Sequence, residues 1–70
     1  MQKYNDVDND SNIDEFEIGK DYISVRFFGS DVYTYTYNTA GSSHVEEMKR
    51  LASCHNGLNV YINHNKPKFS

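Results

Sequence analysis

The residues best placed to do chemistry lie early in the chain. Asp6–Glu17 (DVDNDSNIDEFE) carries oxygen donors at the spacing of a calcium-binding loop. Asp6, Asp8 and Asp10 occupy loop positions 1, 3 and 5, Asn12 occupies 7, Asp14 occupies 9 and Glu17 occupies 12. Alternating carboxylates with a distant bidentate Glu are what a hard, 6–8-coordinate cation requires. Two features oppose this reading. Ser11 stands where the sharp turn wants Gly, and the flanking sequence offers no helices. The alternative is a solvated acidic segment, rich in Asp and Asn, running into a strand. Calcium is therefore an alternative ligand, with Asp6, Asp8, Asp10, Asn12 and Glu17 as its donors.

Cys54-His55 pairs a nucleophile type with a base type. Adjacent helical residues point about 100° apart, and working Cys–His pairs are assembled from distant segments. Cys54 reads better as a half-buried helix residue and His55 as a last-turn residue favoured by the helix dipole. His44, His55 and His64 have no compact metal-ligand spacing. No catalytic residue is expected, and no cofactor beyond the calcium alternative.

The third group is aromatic. Tyr33, Tyr35 and Tyr37 alternate with Val32, Thr34 and Thr36, so they share one face of a strand. The preceding turn decides which face. A two-residue loop at Gly29-Ser30 pairs Arg26 with Tyr33 and puts the tyrosines on the solvent side beside Tyr22, Arg26 and Phe28. A three-residue loop pairs Phe27 with Tyr33 and Val25 with Tyr35, and the tyrosines join the core. One residue of slip inverts the stripe. Turn chemistry favours the first, since Gly suits the first position of a type II′ turn. Burial favours the second, because one large apolar side chain contributes ~1.5–3 kcal/mol when fully buried. The balance lies with the core. An exposed platform that stacks unpaired RNA bases stays open as an alternative, with Tyr22, Arg26, Phe28 and Tyr61 as its surface.

The totals limit these options. Seventy residues make one domain with a thin core. Net charge is −3, and most of the excess sits in the first eleven residues, so no basic surface for nonspecific DNA binding is expected. A single cysteine excludes an internal disulfide and fits a reducing, cytoplasmic setting. No secretory h-region and no run of about 20 apolar residues is visible, so no membrane partner is expected.

The elements that must position these groups read as follows. Residues 1–10 form a mobile acidic tail, and residues 11–70 form a single domain. Ile13–Ile18 is a strand with Phe16 and Ile18 inward. Gly19-Lys20-Asp21 turns into Tyr22–Phe28, with Ile23, Val25 and Phe27 inward, and Val32–Tyr37 follows. Asn38–Gly41 is a loop. A helix starts at Ser43, with Glu46 at capping-box spacing. It buries Val45, Met48, Leu51 and Ala52, carries a Glu46–Arg50 pair, and ends at Asn56-Gly57. Leu58–Asn63 alternates again, with Leu58, Val60 and Ile62 inward and Tyr61 outward. Lys66-Pro67-Lys68 stops any continuation, and Phe69 folds back onto the core. The expected class is α+β: a small antiparallel β-β-β-α-β sheet with one helix packed on one face.

Six pieces of this order resemble a known family: Ser11–Ile13, Ile18-Gly19, Ile23–Phe27, Val32–Tyr35, Ala52-Ser53 with Gly57, and Val60–Asn63. Together they are similar to the KTSC domain, named for the C-termini of lysyl-tRNA synthetases, with Asn38–Gly41 where the family carries Val-Pro. The resemblance covers residues 11 to about 69 and implies a small accessory or binding module without known catalytic residues. Its partner is an unidentified protein or RNA, and the module is a monomer or a homodimer.

Overall fold

A computed structural model describes residues 1–4 and 12–69. The chain forms a four-stranded antiparallel meander in the order β1-β2-β3-β4, followed by two helices. The strands are β1 (Gln2–Lys3), β2 (Ile13–Ile18), β3 (Tyr22–Phe27) and β4 (Val32–Thr36). The helices are α1 (Ser42–Ser53) and α2 (Leu58–Asn65). The class is α+β as expected, with both helices on one face of the sheet. The core lies between them: Ile13, Phe16, Ile23, Val25 and Tyr35 from the sheet, Val45, Met48 and Ala52 from α1, Leu58 and Ile62 from α2, and Tyr4.

Several expectations are corrected. The fourth strand comes from Gln2–Lys3 rather than from Leu58–Asn63. Gln2 pairs with Phe16 and Lys3 with Glu15. Gln2 and Lys3, assigned with the rest of residues 1–10 to a mobile tail, are thus placed in the sheet, while residues 5–10 of that assignment lie outside the described residues. Tyr4 is only 4% exposed. Leu58–Asn63 is helical instead. Alternation of Leu58, Val60 and Ile62 also contains the i,i+4 pair Leu58/Ile62, and that is the pair the helix buries. Val60, expected inside, is 68% exposed.

In β2 the ladder jumps from Ile13↔Phe27 to Glu15↔Arg26, leaving Asp14 as the extra residue of a bulge. A bulge shifts the alternation by one. Ile13 and Phe16, three positions apart, can thus both point inward. Ile18, assigned to the core from sequence, is instead substantially exposed at the strand end.

The β3–β4 register puts Val25 opposite Tyr33 and Ile23 opposite Tyr35. This is two residues from the expected pairing of Phe27 with Tyr33. A two-residue slip preserves the face, so the tyrosines still lie on the helix side. The connection turns through Phe28, Gly29 and Ser30. The Ser30 N–H donates to the Phe27 carbonyl at 3.1 Å, and Gly29 takes φ +69°, which costs a side-chain-bearing residue energy. Tyr35 is buried, Tyr33 half-buried and Tyr37 exposed at the far end.

Helix α1 combines good helix formers with an apolar stripe at Val45, Met48 and Ala52. Its N-cap is Gly41, with no side-chain cap bond, so the expected Ser43–Glu46 capping box is not formed. Glu46 is drawn instead to Lys49 and Tyr37, and Arg50 pairs with Glu47 rather than Glu46. The helix closes in a Schellman motif. The Asn56 N–H donates to the Leu51 carbonyl at 3.3 Å and the His55 N–H to the Ala52 carbonyl at 3.0 Å. The left-handed residue of this motif is His55, at φ +53°, ahead of the expected Asn56-Gly57.

Candidate binding surface

The outer face of the sheet is a set of satisfied polar pairs. Arg26 Nη1 donates to Glu15 Oε1 at 2.9 Å across β2 and β3. The Ser24 and Thr34 hydroxyls lie 2.9 Å apart across β3 and β4. The Tyr22 hydroxyl donates to Glu17 Oε2 at 2.8 Å, and this bond raises the Tyr22 pKa. Tyr22 and Arg26 do share this face, as the platform alternative required. They are occupied by carboxylates, and the Tyr33/Tyr35/Tyr37 stripe points to the other side. Tyr61 is separate. It sits on α2 in the helical layer, 2.6 Å from Nδ1 of His44. Burial first, and Glu47 second, raise its pKa. The proposed surface of Tyr22, Arg26, Phe28 and Tyr61 is therefore divided between the two faces of the molecule.

For the calcium set, Asp6, Asp8 and Asp10 lie outside the described residues. Asn12 and Glu17 are described. The Asn12 carbonyl accepts the Phe28 N–H at 2.8 Å, and Glu17 holds Tyr22 from within the extended strand β2. At ~3.3 Å of rise per residue, Glu17 stands roughly 16 Å along the chain from Asn12. Ligands of one ion converge on a point at ~2.4 Å from each oxygen. Binding over Asp6–Glu17 would require both described donors to leave the sheet. Among the described residues, no cluster of three or more His, Cys, Asp or Glu is arranged to hold a metal.

Cys54 is exposed. His55 turns away from solvent, its ring stacked on Tyr4 at 5.8 Å and set edge-on to Phe16 at 5.8 Å. This is packing geometry at a helix end. The Tyr4 hydroxyl accepts the Leu58 N–H at 3.2 Å, one of the donors that the first turn of α2 leaves unpaired. Sequence reasoning missed Tyr4 because a lone aromatic in a polar stretch has no periodicity to mark it.

Lys49 is the other residue that was missed. Its ammonium reaches the Lys20 carbonyl at 2.8 Å and Glu46 at 2.9 Å, and lies 5.6 Å from the centre of the Tyr37 ring. It ties α1 to the β2–β3 turn. The Tyr37 hydroxyl donates to Glu46, which lowers the Glu46 pKa and raises that of Tyr37.

The β3–β4 hairpin carries two exposed apolar side chains. Phe28 at its tip is 60% exposed and Val32 beside it 40%. On the inner side, Phe27 packs edge-on to Tyr33 at 5.7 Å, and Tyr33 to Phe69 at 4.6 Å. Phe69 reaches Tyr35 as well, at 6.0 Å, which fulfils the expectation that it folds back. Asp31 and Arg26 border this end. Phe28 and Val32 are two of the seven large apolar side chains exposed among the described residues, with Met1, Ile18, Tyr37, Val60 and Phe69.

The fold and surface define a small α+β domain with an aromatic hairpin end. No family model matches the sequence, and no curated protein or solved structure matches it. No helix among the described residues is long and apolar enough to cross a membrane.

Proposed function

We propose that this chain is a non-enzymatic binding module of the KTSC-like kind that meets a protein partner through the β3–β4 hairpin end. The exposure of Phe28 beside Val32 carries this reading. Apolar side chains in a core this thin are at a premium, and these two are left in water. The tyrosine environments also support it. Tyr22, Tyr35, Tyr37 and Tyr61 all have raised pKa values, through carboxylate bonds or burial. Tyr22 and Tyr37 donate to carboxylates, and Tyr35 packs in the core. RNA is the weaker partner, because the chain bears net charge −3 and Arg26 on the outer face is engaged by Glu15, whereas phosphate contacts need available cations. A cytoplasmic setting fits the single exposed Cys54.

The test is a Phe28→Ser/Val32→Ser variant, checked for an unchanged unfolding transition. A partner captured on the wild-type chain is identified, purified and titrated calorimetrically against both forms. At least tenfold weaker binding by the variant is expected. Equal affinity would move the contact surface elsewhere, and binding of single-stranded RNA that survives this variant would favour the nucleic-acid reading.

A further inference from the structure

The link between the two helices holds Asn56-Gly57, where an asparagine is followed by glycine, a pairing found nowhere else in the chain. Asn56 is exposed. Its N–H closes the α1 Schellman motif on the Leu51 carbonyl at 3.3 Å. Among the described residues its carboxamide makes no hydrogen bond, and neither does the Gly57 N–H. Gly57 has no side chain to shield its nitrogen, and it takes φ +84° as the N-cap of α2. That helix begins with no side-chain cap bond and no acidic residue in its first turn. The next N–H, from Leu58, is held by the Tyr4 hydroxyl at 3.2 Å. An exposed electrophile, an unshielded nucleophile and the latch of the helical layer thus occupy three consecutive residues.

We infer that Asn56 is a site of spontaneous deamidation, and that its two products set the joint between α1 and α2 in opposite ways. The Gly57 nitrogen loses its proton to solvent and attacks Cγ of Asn56. An N–Cγ bond forms, the Cγ–Nδ2 bond breaks and ammonia leaves, giving a cyclic imide. Water then opens the imide at either carbonyl. Opening at Cγ restores the ordinary backbone with an aspartate side chain. Its carboxylate stands beside the uncapped start of α2, where the helix dipole favours negative charge. Opening at the main-chain carbonyl gives isoaspartate, which routes the backbone through Cβ and lengthens it by one carbon. Gly57 and the Leu58 N–H then lose their positions, and the bond to Tyr4 with them. Other asparagines are worse placed. Asn12, Asn38 and Asn59 precede β-branched residues that crowd the nitrogen. Asn65 donates its amide to the Tyr61 carbonyl at 3.1 Å, and the Lys66 nitrogen after it is bonded to the Ile62 carbonyl at 2.8 Å. The inference stands apart from the hairpin reading and does not depend on it.

The experiment holds the full, folded chain in mildly alkaline buffer and follows each asparagine by peptide mass spectrometry, with isoaspartate marked by enzymatic carboxyl methylation. Asn56 should convert roughly tenfold faster than Asn12, Asn38, Asn59, Asn63 or Asn65, a barrier difference of about 1.4 kcal/mol. Asn56→Gln should show no conversion at this position while unfolding as the parent does. Ion exchange separates the products. The isoaspartate form should melt below the unconverted chain, and the Asn56→Asp variant should melt at the same temperature as that chain or higher. Three results would overturn the proposal: Asn56 intact after the other asparagines have converted, an isoaspartate form with an unchanged midpoint, or an Asn56→Asp variant destabilised as far as the isoaspartate form.

Discussion

The two edges of the sheet are fastened to the helices by aromatic rings in opposite ways. At the β1–β2 edge, Tyr4 is fully enclosed, stacked on His55, set against Phe16, and hydrogen-bonded to the first turn of α2. At the β4 edge, Phe69 touches two tyrosines edge-on, has no polar anchor among the described residues and faces water over half its surface. The first arrangement combines burial with satisfaction of a backbone donor, and removing it leaves both a cavity and an orphan N–H. The second supplies ring contact alone. The same residue class thus acts as a structural bolt on one side and as a weakly held cover on the other. The distinction comes from the polar partner and the depth of burial, not from residue type.

Substitutions should separate the two edges. Tyr4→Ala should have the largest effect, a loss of about 3–4 kcal/mol by urea unfolding, since it empties a buried ring site and strands the Leu58 N–H. A loss below about 1 kcal/mol would erase the contrast. His55→Val should cost about 1–3 kcal/mol, because a β-branched residue is poorly suited to a left-handed position and the stack with Tyr4 is lost. His55→Gly, which frees the backbone but still loses the ring, should lie closer to wild type. Phe69→Ala should cost only about 1 kcal/mol or less, as expected for a half-exposed side chain, seen as a thermal midpoint lowered by a few degrees. A drop comparable to Tyr4→Ala would show that the β4 edge is bolted too.

The smallest effect concerns the tie between Tyr37 and Glu46. Glu46 has a depressed pKa in the folded chain. The stability it lends is present above the ordinary carboxylate value of about 4.3 and fades as pH falls through the lower folded value. Tyr37 titrates higher when folded, so its share is present below its ordinary value of about 10 and fades as pH rises through the higher folded value. Tyr37→Phe should flatten both dependences slightly. Identical profiles for variant and parent between pH 2 and 5 would show that the bond contributes nothing.

Much of the fold was legible because its middle follows local rules. Tyr22–Phe27 and Val32–Thr36 alternate as half-buried strands do, and the stripe Val45, Met48, Ala52 marks α1 at helical spacing. The inward direction of Tyr33 and Tyr35 followed from weighing burial against turn preference. What was not legible depended on distant contacts. A strand of two residues has no period to detect, and β1 exists only because β2 offers an edge. Leu58, Val60 and Ile62 satisfy both periodicities, and β-branched residues with Asn tilted the reading towards a strand. The helix was decided by Gly57 at φ +84° and by the Tyr4 hydroxyl. Phe28 is exposed, whereas Tyr61, read as an outward strand residue, sits on α2.

The bond between Tyr4 and Leu58 spans 54 positions, which has a kinetic consequence. Closing so long a loop is entropically slow to reward, so this fastening should form only after the meander and both helices have come together. Weakening it should leave the refolding arm of a chevron almost untouched and steepen the rate of escape from the native state. The enclosed tyrosine would then act as a latch that sets how long the molecule stays shut, with little say in how quickly it first assembles.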